Sequence, residues 1–164
     1  MVPHKIAKKD IYLFLKQNKS AVISTVNLEN MPEGATIYYG VDKDFNFYFI
    51  TSDKTRKYAN LKRNPKAALA ISDDYRLTTV QLEGVVEEVH SVKINSNSIK
   101  LLTEALAPTI RQTIAHIWDP IPPIMKMENG RIVIFKLKPY WLRWANFNEP
   151  VDKVKGNYFK LIIP

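Results

Sequence analysis

The residues best suited to chemistry lie between Thr51 and Arg63, in the run TSDKTRKYANLKR. Ser52 or Asp53 can cap a helix there, Tyr58 and Leu61 share one helical face, and Pro65 ends the element. Lys54, Arg56 and Lys57 then crowd the first turn, where the backbone dipole is already positive and each cation costs roughly 0.3–1 kcal/mol. Unpaired N–H groups, hydroxyls and three cations gathered at one helix start form a receptor for a phosphate. A solvated basic face would have the same composition, so helix physics alone leaves both readings open.

Little else in the chain has the spacing of a reaction centre. There is no cysteine, which excludes disulfides, zinc thiolates, iron-sulfur clusters and a thiol nucleophile. His4, His90 and His116 lack metal-ligand spacing, and the adjacent Glu87 and Glu88 would point to opposite faces of a strand. No metal site is expected. A net charge of +8 and a pI near 9.6 favour anionic cofactors or polyanions in a general way. The lysines are spread along the chain, however, as in many basic proteins that never touch nucleic acid.

The elements that must position the cluster read as mainly β. At 164 residues one domain spanning 1–164 is expected, burying about 70% of its unfolded surface. Lys8 to Gln17 has Ile11, Phe14 and Leu15 at helical spacing. Ala21–Asn27, Ala35–Val41 and Phe45–Thr51 read as strands, the first two joined by a turn over Asn30-Met31-Pro32-Glu33-Gly34. In the third strand Phe45, Phe47 and Phe49 fall on one face. Beyond Pro65 come strands at Ala67–Ser72 and Leu77–Val89, the latter with a bulge expected at Gly84. Ser91 to Ile117 has helical spacing broken at Pro108, and Asp119 to Pro123 must be an extended loop. Met125 and Met127 are expected to pack. Ile132–Leu137 and Tyr140–Phe147 read as two further strands, and the apolar Leu161-Ile162-Ile163 is expected to dock rather than fray. Six or seven short antiparallel strands with flanking helices make a small β-barrel.

The order Ile50-Thr51, Thr55-Arg56-Lys57, Asn64-Pro65 resembles the flavin-binding strand and phosphate-binding helix of the pyridoxamine 5'-phosphate oxidase-like, FMN-binding split-barrel family. The similarity runs from about Ser20 to Val89, and more weakly from Arg131 to Phe147. It implies a split β-barrel whose cofactor is FMN, with the phosphate held by Thr55, Arg56 and Lys57. Thr36, Ile37 and Tyr38 would line the isoalloxazine through backbone groups, with Ile50 and Thr51 at its other edge. It further implies a homodimer with the flavin at the subunit interface, where Trp141, Arg143 and Trp144 reach the partner's cofactor; packing is the competing role for the tryptophans.

The chain also departs from that family's best-known enzyme. Ala35 stands in place of an arginine, Gly40 in place of a substrate-contacting lysine, and Thr79 in place of a flavin-contacting glutamine. No late Arg-x-His motif occurs. The groups that hold a substrate phosphate are therefore missing, so the resemblance implies an FMN-dependent oxidoreductase with an unassigned small-molecule substrate, its chemistry being the flavin's own. The alternatives are a non-catalytic carrier of flavin, deazaflavin or haem, and a basic single-stranded nucleic-acid binder. The compact cluster fits a phosphate better than an extended nucleic-acid path. No apolar run approaches the roughly 20 residues of a membrane span, and the start lacks a hydrophobic signal core, so a cytoplasmic location is expected.

Overall fold

The structure, a computed structural model, describes residues 8–89, 131–148 and 159–163. The two helices expected between Ser91 and Ile117, the proline loop, Met125, Met127 and all three histidines lie outside the described residues. Helix α1 (Lys8–Gln17) leads into β1 (Ser20–Val26), β2 (Pro32–Val41) and β3 (Phe47–Ser52). Helix α2 (Arg56–Arg63) follows, then β4 (Lys66–Asp73), β5 (Thr78–Glu88), β6 (Ile132–Asn146) and β7 (Phe159–Ile163).

All pairings are antiparallel, in the order β3-β2-β1-β4-β5-β6-β7, and β3 pairs back onto β6. Six strands thus close a barrel, with β7 added along the far half of β6 as expected for an apolar tail. Alternation fills the interior: Ile23, Ile37, Tyr39, Phe47, Phe49, Leu69, Leu82 and Phe135 are all buried. Helix α1 plugs one end with Ile11, Phe14 and Leu15, the face read from its spacing. The Tyr39 hydroxyl, deep in the core, donates to the Leu15 carbonyl at 3.0 Å and ties the plug to β2.

Three expectations need correction. The late pair of strands is a single strand, β6, running through Pro139. Proline lacks a ladder donor, but here it faces Gly84 where the register shifts between Glu83 and Gly84, so the bulge accommodates it. Secondly, Phe45 is not part of β3. It adopts φ 61 in a turn closed by Asp42, whose carboxylate accepts from the N–H groups of Asp44 and Asn46 at 3.0 and 2.8 Å.

Thirdly, Pro32, Glu33 and Gly34 belong to β2 rather than to a turn. Asn27 closes the connection earlier by accepting from the N–H groups of Glu29 and Met31 at 3.0 and 2.9 Å, with Asn30 at φ 60. Glu33 is thereby paired with Thr25 across the ladder.

The barrel is also split. Strand β2 pairs with β1 from Pro32 to Tyr38, yet its ladder to β3 covers only Tyr39–Val41 against Phe47–Phe49. Beyond that rung Ile50 and Thr51 keep only the pairing with β6 that all of β3 makes, to Ile134 and Val133. The two strands diverge, and α2 begins just past the gap.

Candidate functional site

Helix α2 starts at Thr55, not at Ser52 or Asp53. Thr55 has φ −85 and ψ 150, and its Oγ1 accepts from the Tyr58 N–H at 3.3 Å, as an N-cap does. The same hydroxyl donates to the Ser52 carbonyl at 2.9 Å and lies 2.9 Å from the buried Thr51 Oγ1. Its proton is therefore engaged in shaping the helix start. Arg56 and Lys57 follow at the first turn, where their N–H groups have no carbonyl one turn back within the helix. No acidic residue stands in that turn. The expected violation of dipole complementarity holds for Arg56 and Lys57, whereas Lys54 precedes the N-cap and lies outside the helix.

A pocket of about 300 Å³ lies against this turn, lined by Thr25, Glu33, Ala35, Thr55, Arg56 and Lys57. Lys54 is not part of its wall. Burial pushes the Lys57 ammonium below the ordinary lysine range, because desolvation disfavours the charged form. An anion in the pocket would reverse that. Affinity for a phosphate should then fall as pH rises through the lowered Lys57 pKa, since the free ammonium loses its proton there. Titrating FMN at a series of alkaline pH values, with riboflavin in parallel, checks this: only FMN should weaken.

The pocket also holds a group that the sequence reading assigned to a turn. Glu33 Oε1 accepts from Arg56 at 3.1 Å, and Oε2 accepts from Asn60 Nδ2 at 3.0 Å. Asn60, buried in α2, also donates to Thr25 Oγ1 at 3.1 Å. The Arg56 side chain is 82% exposed and that of Glu33 only 19%. Arg63, at the far end of α2, donates to the carbonyls of Val26 and Asn27, clamping the helix over the β1–β2 connection. A signal for Glu33 was present: the period-two row Val41, Tyr39, Ile37, Ala35 extends back to it, an acid on an inward face.

The other sequence-derived positions divide by face. Since the Tyr39 N–H bonds to Lys19 O, alternation in the antiparallel ladder turns the backbone groups of Ile37 toward β1 and those of Thr36 toward the gap. The Ile37 side chain is in the core, whereas Thr36 and Tyr38 face outward; Tyr38 adjoins the last β2–β3 rung. Ile50 is half-buried and Thr51 buried at the opposite lip. Thr79, Trp141 and Arg143 stand on the outside of β5 and β6 and do not line the pocket. The Thr79 hydroxyl donates to Ile71 O at 3.1 Å. Arg143 donates to Gln81 Oε1, at 2.7 Å from Nε, and lies over the Trp141 ring at 5.2 Å from its centroid.

Trp144 packs inside instead, edge-on to Phe14 with ring centroids 5.0 Å apart. It borders a larger hollow of about 560 Å³ beside α1, whose wall includes Asp10, Gln17 and Arg76. Size favours that hollow, but Arg76 is already engaged by Asp73 and Gln17. The smaller pocket has the two cations and the helix start. Among the described residues no cluster of histidine, aspartate or glutamate could hold a metal ion, and no helix is long and apolar enough to cross a membrane.

A split barrel with a cationic helix start at its gap defines a class, and comparison with known proteins places the chain in it. The family model for pyridoxamine 5'-phosphate oxidase matches residues 7–117, and the chain belongs to that family. No curated protein matches. Among solved structures, a heme binding protein from Mycobacterium smegmatis superposes with TM-score 0.67 at 16% identity, covering 99% of this chain. This chain spans 60% of that protein's length. A protein from Clostridium acetobutylicum related to general stress protein 26 gives 0.63 at 15%, covering 96% of each chain. A pyridoxamine 5'-phosphate oxidase-related, FMN binding protein from Nostoc punctiforme gives 0.58 at 12%, covering 100% of this chain and 98% of the other. At such identities the likeness is one of fold.

Proposed function

We propose that the chain binds FMN at the split between β2 and β3, with the flavin phosphate at the start of α2, and acts as an FMN-dependent oxidoreductase. The observation that carries this reading is that Thr55, Arg56 and Lys57, at the start of α2, line one pocket. Their chemistry fits a phosphate: Arg56 supplies a planar fork, Lys57 a point charge and the helix its positive end. Thr36 turns its backbone groups toward the gap beyond the last β2–β3 rung, and Ile50 and Thr51 follow that rung on β3, so a flat ring system would lie there. The flavin, when bound, would supply hydride or electron transfer at N5. The protein's own part is to place the ring, hold the phosphate and keep water from one face.

The functional unit in this reading is a homodimer with the cofactor between subunits. Its support is the outward placement of Thr79, Trp141 and Arg143 away from their own chain's pocket, and the uncharged outer surface formed by Val22, Ser24, Thr36, Tyr38, Ala70 and Ser72. The absorbance spectrum of the purified protein tests the proposal. Flavin bands near saturation after incubation with FMN, followed by bleaching with a pyridine nucleotide or another donor, are expected. A second reading, a haem or flavin carrier without catalysis, is favoured by the fold shared with the mycobacterial heme binding protein; a Soret band, or bound flavin that no donor reduces, would establish it instead.

A further inference from the structure

Glu33 stands inside the pocket that the proposed function reserves for a phosphate. Its two oxygens are held from opposite sides, one by Arg56 at the pocket mouth and one by Asn60 from within α2. The outer contact is weak. Arg56 is largely in water, and an exposed ion pair of this kind is easily broken. The inner contact is not: Asn60 is buried and its amide is fixed by the second bond to Thr25, while Glu33 is pinned in β2 opposite that same threonine. When an incoming anion takes Arg56, the carboxylate therefore stays where it is, as part of the wall.

We infer that Glu33 sets how strongly this site holds a doubly charged phosphate monoester, weakening it relative to a ligand group with one negative charge or none. Arg56 and Lys57 supply two positive charges, the helix start adds a partial one and Glu33 removes one, so the lining falls short of neutralising a dianion. A phosphate diester or a carboxylate matches that lining. A dianionic monoester such as the end group of FMN overshoots and meets a like charge in a half-desolvated pocket, an arrangement that works against affinity. Selectivity here comes from a repulsive element set beside attractive ones. The inference rests on the flavin reading and refines it: Glu33 tunes which phosphorylated form of the cofactor is held best.

The test compares the wild-type chain with Glu33→Gln, which keeps an oxygen for Asn60 and the side-chain volume, in titrations with FMN and with riboflavin, which lacks the phosphate. Removing the carboxylate should raise the ratio of FMN to riboflavin affinity by about tenfold or more, with riboflavin affinity itself unchanged. An unchanged ratio, or one that falls because Arg56 has lost its orienting partner, overturns the inference while leaving flavin binding intact. Flavin binding by neither protein overturns the functional proposal and the inference together. FMN binding by Glu33→Gln alone overturns the functional proposal for the natural chain while supporting the charge selection by Glu33.

Discussion

Alanine at both Arg56 and Lys57 is expected to weaken FMN binding about a hundredfold while leaving riboflavin binding nearly unchanged. Charge-assisted hydrogen bonds to a phosphate are worth roughly 1.5–3 kcal/mol each where they are shielded from water. Arg56 is mostly solvated, so its share is discounted to about 1 kcal/mol, whereas half-buried Lys57 contributes about 2. Together they come to about 3 kcal/mol, or two decades in affinity. Folding should not suffer, because each of these cations is disfavoured at a helix start and Lys57 is partly desolvated. Fluorescence-quenching titrations of the two flavins, with a thermal melt of each protein, check both statements. An equal loss for riboflavin would mean that the substitutions had damaged the pocket rather than removed its charge.

Gly84→Ala should have the largest effect on the fold itself. A Cβ at that position would lie 2.6 Å from the Lys138 carbonyl oxygen and 2.6 Å from Leu137 Cδ2. Leu137 can shift, but the carbonyl belongs to the β6 backbone at the bulge where the register moves. The obstacle is thus space rather than backbone conformation. Overpacking of this kind costs about 1–3 kcal/mol, and the upper end is expected because the clash is with the main chain that closes the barrel. For a domain of this size the melting temperature should drop by roughly 10 °C. Calorimetry of the variant checks it. A melt within a degree or two of wild type would show that the β5–β6 junction is not rigid.

What could be read ahead of the structure was whatever is encoded locally. Helix α1 was expected over Lys8–Gln17 and occurs there, because the spacing of Ile11, Phe14 and Leu15 and the plug they form describe the same stripe. The cation cluster was legible because its members adjoin in sequence. A bulge was expected in β5 at Gly84; the register does shift there, but the extra residue is Tyr140 of β6, and β5 itself alternates through Gly84 without a break. The errors have a common cause in long-range contacts overriding local signals. Pro139 looked like the end of a strand, yet the bulge beside it at Tyr140 lets β6 run on. Pro32-Glu33-Gly34 looked like a turn, yet Asn27 had already closed the connection. That second error hid the electrostatics of the site. The partners that define it, Glu33 with Arg56 and Asn60 with Thr25, lie far apart along the chain, and no local pattern joins them.

The central claim concerns where a phosphate sits, and the most direct measurement is the position of the phosphorus atom in crystals grown with saturating FMN. It is expected at the start of α2, with phosphate oxygens about 3 Å from the Arg56 guanidinium and the Lys57 ammonium. A phosphate lodged instead beside Arg76 and Trp144, or crystals that take up no FMN at all, would contradict the account.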